Sequence, residues 1–295
     1  MSARTVAIIG AGRVGGAIGR LLAQAGYTVA AVAARKQETA EKARAFIGSG
    51  EPLIDAVKAA ASADIVFITT SDGAIKSTCD AIATGGGFRA GMIVVHTSGA
   101  QTLGLLHSAR TAGAHRAVLH PLQSVPTMEL GEKNIPGSYF RIEADPEAAA
   151  TAHGLVKAMG GIELVMPKWT SGRESAALYH AGAVAASNYL VALVDLSLRF
   201  YEALGADRKD ALKAVLPLIK GTLANIESVG VPEALTGPIM RGDVQTLRGH
   251  LDAIRVRTPE LAGLYKELAR HTVTVARDKG SIGPEAAAEM LEQLK

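Results

Sequence analysis

Five continuous apolar runs, separated by helix-patterned stretches, limit the first half of this chain more than any other feature. They are "VAIIG" (Val6 to Gly10), "YTVAAVAA" (Tyr27 to Ala34), "DIVFITT" (Asp64 to Thr70), "MIVVHTS" (Met92 to Ser98) and "RAVLH" (Arg116 to His120). A run that is apolar on both alternating faces describes a strand buried on both sides. Between the first two, Val14, Ala17, Ile18, Leu21, Leu22 and Ala25 share one helical face and Gly26 marks the stop. Strand and helix in alternation predict an α/β domain with a doubly wound parallel sheet. "SYFRIEA" and "IELVMP" flank a helical stretch from Asp145 to Met159 and extend that sheet to about Pro167. From Ser171 onward only helical patterns occur, broken at "LGAD", "ESVGVPEALTGP", "RTPE" and "DKGSIGPE". The expected organisation is a dinucleotide-binding Rossmann domain over 1–168 and an all-α domain over 169–295.

Composition excludes several classes. The chain has 295 residues, 48% of them apolar, enough to bury two cores. The formal net charge is +3 with basic and acidic residues interspersed, so a nucleic-acid partner is not expected. The single cysteine, Cys79, precludes an internal disulfide and reads as a small core residue, and no Cys/His spacing suits a metal; a cytoplasmic, metal-free protein is expected. "AGAVAASNYLVALVDLSL", Ala181 to Leu198, contains Asn188 and Asp195 and reads as a buried helix at a subunit interface, not as a membrane span.

"GAGRVG" follows the first strand and opens the first helix. Gly10 allows the tight turn, Gly12 lets the backbone approach a pyrophosphate, and Gly15 lets helix and strand pack closely, with Arg13 and Val14 between them. The helix N-terminus then receives the anion. An NAD site carries an acidic residue about 20 residues beyond the glycines. Here Ala33, Ala34, Arg35 and Lys36 stand at that place. Arg35 can grip a 2′-phosphate through several N–H donors, which predicts NADP(H); a solvated helix start is the plain alternative.

Ligands of open α/β sheets lie beyond the carboxyl ends of the strands. Three strands end in polar residues there, giving Thr70, Ser71 and His96 as cofactor contacts and Ser98 and Gln123 as substrate contacts. His120 precedes Pro121, which ends regular structure and aims it near the nicotinamide; it caps a turn otherwise.

"VVHTSGA", "LHPLQSV", "ALYHAGAVAASNYL" and "PEALTGPIMRGD", in that order, closely resemble a bacterial family of Rossmann-like proteins whose helical C-terminal half is a domain of unknown function. The family is similar to the 6-phosphogluconate dehydrogenase-like reductases, which include ketopantoate and pyrroline-5-carboxylate reductases. The resemblance implies a helical domain that dimerises and closes over the nicotinamide, and a small-molecule substrate.

Related reductases place a lysine one turn before an asparagine on the long helix. That position is Val184 here, before Asn188, which shifts the proton-donor role to His120 or His180. Tyr179, His180, Ser187 and Asn188 are expected to form one polar stripe. "ALTGPIMRGD" is a loop that offers Thr236 and Asp243 to substrate and Arg241 as a carboxylate clamp, or else an Arg241–Asp243 surface pair with Asp243 as a helix cap. The expected activity is NADPH-dependent reduction of a small carboxylate-bearing carbonyl, with ketopantoate first. A cyclic-imine reductase and a non-catalytic NADP(H)-binding module are the alternatives.

Overall fold

The computed structural model describes residues 4–295, which form two compact units, one ending at Ser187 and the other spanning Asn188–Lys295. The expected division at Lys168 falls later because helix α8 (Arg173–Ala186) belongs with the first unit, where Tyr179 bonds to His120.

The strands of the first unit are β1 (Thr5–Ile9), β2 (Thr28–Ala33), β3 (Glu51–Leu53), β4 (Ile65–Ile68), β5 (Ile93–His96), β6 (His115–Pro121), β7 (Tyr139–Ala144) and β8 (Ile162–Glu163). Its other helices are α1 (Arg13–Gln24), α2 (Gln37–Ile47), α3 (Ala56–Ala61), α4 (Asp72–Thr84), α5 (His107–Thr111), α6 (Met128–Asn134) and α7 (Pro146–Ala158). One sheet runs β3-β2-β1-β4-β5-β6-β7-β8. It is parallel from β3 to β6, as the apolar runs predict, with the order reversing between β1 and β4.

Alternation on β1 shows why both faces are apolar. Val6 and Ile8 join one core with Ile18, Leu22, Phe67 and Phe140, while Ala7 and Ile9 join the opposite core with Ile68, Ile75, Cys79 and Val94. Each fully buried Ile or Phe contributes about 1.5–3 kcal/mol of transfer free energy. Cys79 is a buried packing residue whose thiol burial pushes up in pKa.

Three readings need correction. β7 is antiparallel to β6 rather than parallel, and only Ile162 and Glu163 of "IELVMP" form a strand. β3 carries no apolar run of its own and escapes the pattern. The 181–198 stretch is not one helix, because it breaks at Ser187; in the single chain Tyr189 is 61% and Val191 70% exposed. Residues 173–202 are long and apolar enough, by length and composition alone, to cross a membrane.

The second unit holds α9 (Asn188–Glu202), α10 (Arg208–Val229), α11 (Val244–Arg257), α12 (Ala262–Asp278) and α13 (Pro284–Gln293). All four predicted breaks coincide with its inter-helix connections. Its main core gathers Leu247, Leu251, Val273, Ala276 and Met290 from α11, α12 and α13.

Candidate active site

The loop after β1 has the geometry its glycines suggest. Gly10 has φ +94°, and a Cβ there would lie 2.7 Å from the Thr70 backbone nitrogen. A Cβ on Gly15 would lie 2.8 Å from the Gly10 carbonyl oxygen. Thr69 fastens the turn, its hydroxyl donating to the Gly10 carbonyl at 2.9 Å. Gly12, which starts α1, faces open space, since a Cβ there would meet only the Gly10 oxygen at 3.9 Å. Backbone N–H groups of Arg13, Val14 and Gly15 lie in the first turn beyond it, where a helix leaves donors free. Thr70 Oγ1 is buried and unpartnered, and Ser71 starts α4 without a side-chain cap bond. Arg35 and Lys36 are exposed just past β2.

His96 is placed differently from its expected role. It has no exposure; its Nε2 donates to the Thr102 carbonyl (3.0 Å) and its Nδ1 accepts from the Ser98 amide (3.2 Å). Burial holds it neutral, with its pKa lowered to about 4. Both nitrogens are used within their own loop, so His96 is a positioning residue rather than a cofactor contact. Ser98 is likewise engaged: its hydroxyl donates to Asp72 Oδ2 at 2.7 Å, tying β5 to α4. Gln123 is engaged nearby, donating to the Asn134 carbonyl at the end of α6 and accepting from the adjacent Ser124 amide.

His120 stands at the centre of a cluster. The antiparallel register sets it directly across from Arg141, and its Nδ1 lies 2.8 Å from the Tyr179 hydroxyl. The rings meet edge to face at 5.4 Å, and the His180 ring lies 6.2 Å from that of His120. Arg141 is completely buried, its guanidinium carbon 5.0 Å from the Trp169 ring centre and 5.5 Å from that of Tyr179. One of its nitrogens donates to the carbonyls of Gln101 (2.6 Å) and Ser98 (3.3 Å). Ser171 donates to Glu143 beside it.

This cluster holds most of the unpaired polarity of the protein. Among the described residues seven buried side-chain polar atoms lack a partner, and five of them belong to Arg141, Glu143, Trp169 and His180. Buried polar groups are ordinarily bonded, so such a concentration marks a place where a ligand or water completes the bonding.

The electrostatics change one expectation. Burial first, then the charge of Arg141 and the neighbouring His180 and His96, bring the His120 pKa down to about 3. Burial pushes Tyr179 up to about 12. Arg141 is lowered by burial, yet a guanidinium remains charged. His120 is therefore a neutral ring at physiological pH. It cannot act as the imidazolium acid that a pKa near 6.5 would allow.

A stability consequence follows from His96 and His120. Their folded pKa values lie below the unfolded value of about 6.5, so the unfolded chain takes up protons that the folded one refuses as pH falls below it. Stability is full above pH 6.5 and declines towards pH 4 and 3. Between pH 6.5 and 5, His96 alone accounts for about 2 kcal/mol. Urea unfolding at pH 7.5 and 5 should show this loss, and equal midpoints would contradict it. Asp145, whose carboxyl is held low by Arg116, acts only below that window.

In the second unit, Asn188 is the exposed first residue of α9. Ser187, with φ −117° and ψ −66°, interrupts the helix between it and His180, so the expected continuous polar stripe does not form. Asp243 caps α11, accepting from the Thr246 amide (2.9 Å) and hydroxyl (2.6 Å), bonds that lower its pKa. That is the capping alternative, and it occupies the carboxylate otherwise assigned to substrate. Thr236 and Arg241 are exposed on the preceding loop.

Residues 2–121 match the Rossmann-like domain family, and residues 138–272 match the domain of unknown function DUF2520. No curated protein sequence matches the chain. Among solved structures it resembles a Bacteroides fragilis protein described as a candidate NADP oxidoreductase, at TM-score 0.74 and 21% identity, covering 92% of this chain and 98% of that one. Protein TM1727 of Thermotoga maritima matches at TM-score 0.69 and 25% identity over 92% and 99% of the two chains. A pyrroline-5-carboxylate reductase of Coxiella burnetii matches at TM-score 0.58 and 16% identity over 98% and 99%.

The cluster draws on both family segments. His120 and Gly99 come from the Rossmann-like segment, and Arg141, Trp169, Tyr179 and His180 from the DUF2520 segment. Gly99, Arg141 and Trp169 are the members that sequence reasoning missed. A Cβ on Gly99 would lie 2.7 Å from His120 Nε2 and 2.8 Å from His180 Nδ1. Gly99→Ala should therefore displace both rings and lower turnover on the order of 10²-fold, the cost of misplacing a reacting group by about 1 Å. Unchanged turnover would remove the histidine pair from the chemistry.

Proposed function

We propose that this protein is an NADP(H)-dependent oxidoreductase that reduces a small carboxylate-bearing carbonyl, with ketopantoate the first candidate. The observation that carries the reading is the convergence of unpaired buried polar atoms around the neutral His120–Tyr179 pair, on a sheet whose first loop suits a dinucleotide. The loop fits the cofactor: a Cβ would fill its tight turn at Gly10, the face over Gly12 is open, and Thr70 Oγ1 is left unpartnered beside it. Gly10, Gly12, Arg13, Val14 and Gly15 would hold the pyrophosphate, with Thr70 and Ser71 alongside and Arg35 at the 2′-phosphate.

When bound, the reduced nicotinamide supplies hydride to the electron-poor carbon of the substrate. The chain must then supply a proton to the heteroatom of the reduced double bond. Tyr179 is the group to donate it; His120 Nδ1–H then returns a proton to the phenolate oxygen through their 2.8 Å bond while its Nε2 takes one up from solvent, so the ring stays neutral. The charge of Arg141 beside the Tyr179 ring favours an anionic substrate and the negative charge that develops on the heteroatom. His180 lines the same space.

A cyclic imino acid is the second reading, favoured by the resemblance to a pyrroline-5-carboxylate reductase. Val184 at the lysine position is what favours a non-catalytic NADP(H)-binding module. Arg241, exposed and uncommitted on its loop, remains the proposed carboxylate clamp, with Thr236 beside it. We also propose that the protein is a cytoplasmic homodimer. Tyr189, Val191, Leu218 and Leu223 expose apolar surface on α9 and α10 that a second copy would cover. NADPH oxidation by the purified protein against a panel of 2-keto acids and cyclic imino acids tests the assignment. Turnover of ketopantoate supports the first reading and turnover of pyrroline carboxylates the second. NADPH binding without turnover of any member would favour the binding module.

A further inference from the structure

The helical unit carries a solvent-open cleft of about 290 Å³ between α9, α11 and α12. That volume lies near the lower end of small-molecule sites, ~300–1,000 Å³. Its walls are apolar: Phe200 and Leu204 from α9, Ala253 and Ile254 from α11. Its uncommitted polar groups come from the C-terminal end of α11. Tyr265 also lines it, but its hydroxyl is bonded to His250 Nδ1 at 2.8 Å, so that pair is satisfied internally. At the end of α11, Thr258 is only 6% exposed and its Oγ1 has no partner. Arg257 lines the cleft beside it. Arg255 is paired with Asp252, whereas Arg257 has no carboxylate partner among the described residues.

An apolar cleft open to solvent, with one unpaired hydroxyl and one unpaired guanidinium at the end of α11, matches a molecule that is apolar along its length and anionic at one tip. We propose that the helical unit binds a small amphipathic monocarboxylate, its tail among Phe200, Leu204, Ala253 and Ile254 and its carboxylate on Thr258 Oγ1 and Arg257. Thr258 donates its hydroxyl hydrogen to the carboxylate, which resolves an unpaired buried group. Arg257 supplies the charge. The site lies wholly within the second unit and does not depend on the reductase reading.

Calorimetric titration of the full-length protein, without cofactor, tests this with sodium octanoate as the probe and octan-1-ol as its uncharged comparator. Saturable binding of octanoate, clearly tighter than that of octanol, is expected. Arg257→Met and Thr258→Val should each weaken it about 10-fold, the usual effect of losing a hydrogen bond to a charged group. Ala253→Phe should abolish it by filling the cleft. Arg257 is exposed, so its replacement keeps the test valid should the Phe variant fail to fold. Tyr179→Phe should leave octanoate affinity unchanged. Absence of saturable binding, equal affinity for octanol, full affinity in Arg257→Met, or loss in Tyr179→Phe would each overturn the proposal.

Discussion

Tyr179→Phe is expected to lower turnover by about 10²–10⁴-fold, the range for removing a general acid, while NADPH still binds. The ring stays and its packing against Arg141 and Trp169 is preserved, so only the hydroxyl is lost. His120→Ala should produce a loss of similar size, because the two groups share one 2.8 Å hydrogen bond and act as a unit. The double variant should then be little worse than either single one, as groups acting together are strongly non-additive. His180→Ala should also lower turnover without abolishing NADPH binding. Multiplying effects of Tyr179→Phe and His120→Ala would separate their roles. The pH dependence supplies an independent check. With His120 lowered to about 3 and Tyr179 raised to about 12, neither changes protonation between pH 5 and 8. The pair therefore contributes no inflection near pH 6.5, and an inflection there that His120→Gln removes would contradict the neutral relay.

Arg35→Asp carries the second large effect. An exposed arginine just past β2 that grips a 2′-phosphate makes charge-assisted bonds worth about 1.5–3 kcal/mol each, and a carboxylate in its place adds repulsion. NADPH affinity should fall on the order of 10²-fold while NADH affinity holds or rises. An unchanged preference in direct titration would remove Arg35 from the cofactor site and leave the choice to Lys36 or Arg13.

What was legible in the chain was local. The glycine turn could be read because its requirements, a positive φ at Gly10 and close packing at Gly15, are imposed by residues within one strand-loop-helix unit. The helix breaks of the second unit could be read because Gly, Pro and capping residues act on their immediate neighbours. The site was only half legible. Arg141 lies in "SYFRIEA", and nothing local shows that an antiparallel register will set it across from His120. Strand ends locate polar residues at one sheet edge but do not orient them, which is why His96, Ser98 and Gln123 turned out to be engaged with neighbouring groups. The interruption at Ser187 has no Gly or Pro to announce it, and it is what removes Asn188 from the helix of His180.

Incubation of the purified protein with ketopantoate and NADPH deuterated at the transferable position of the nicotinamide reports directly on hydride transfer. Reductase chemistry at the His120–Tyr179 pair predicts deuterium on the former carbonyl carbon of the product and its near disappearance in Tyr179→Phe. Extending the same reaction to the cyclic imino acids covers the second substrate class. Bound, unconsumed NADPH and no labelled product with any carbonyl or imine would contradict the reading of this protein as a reductase.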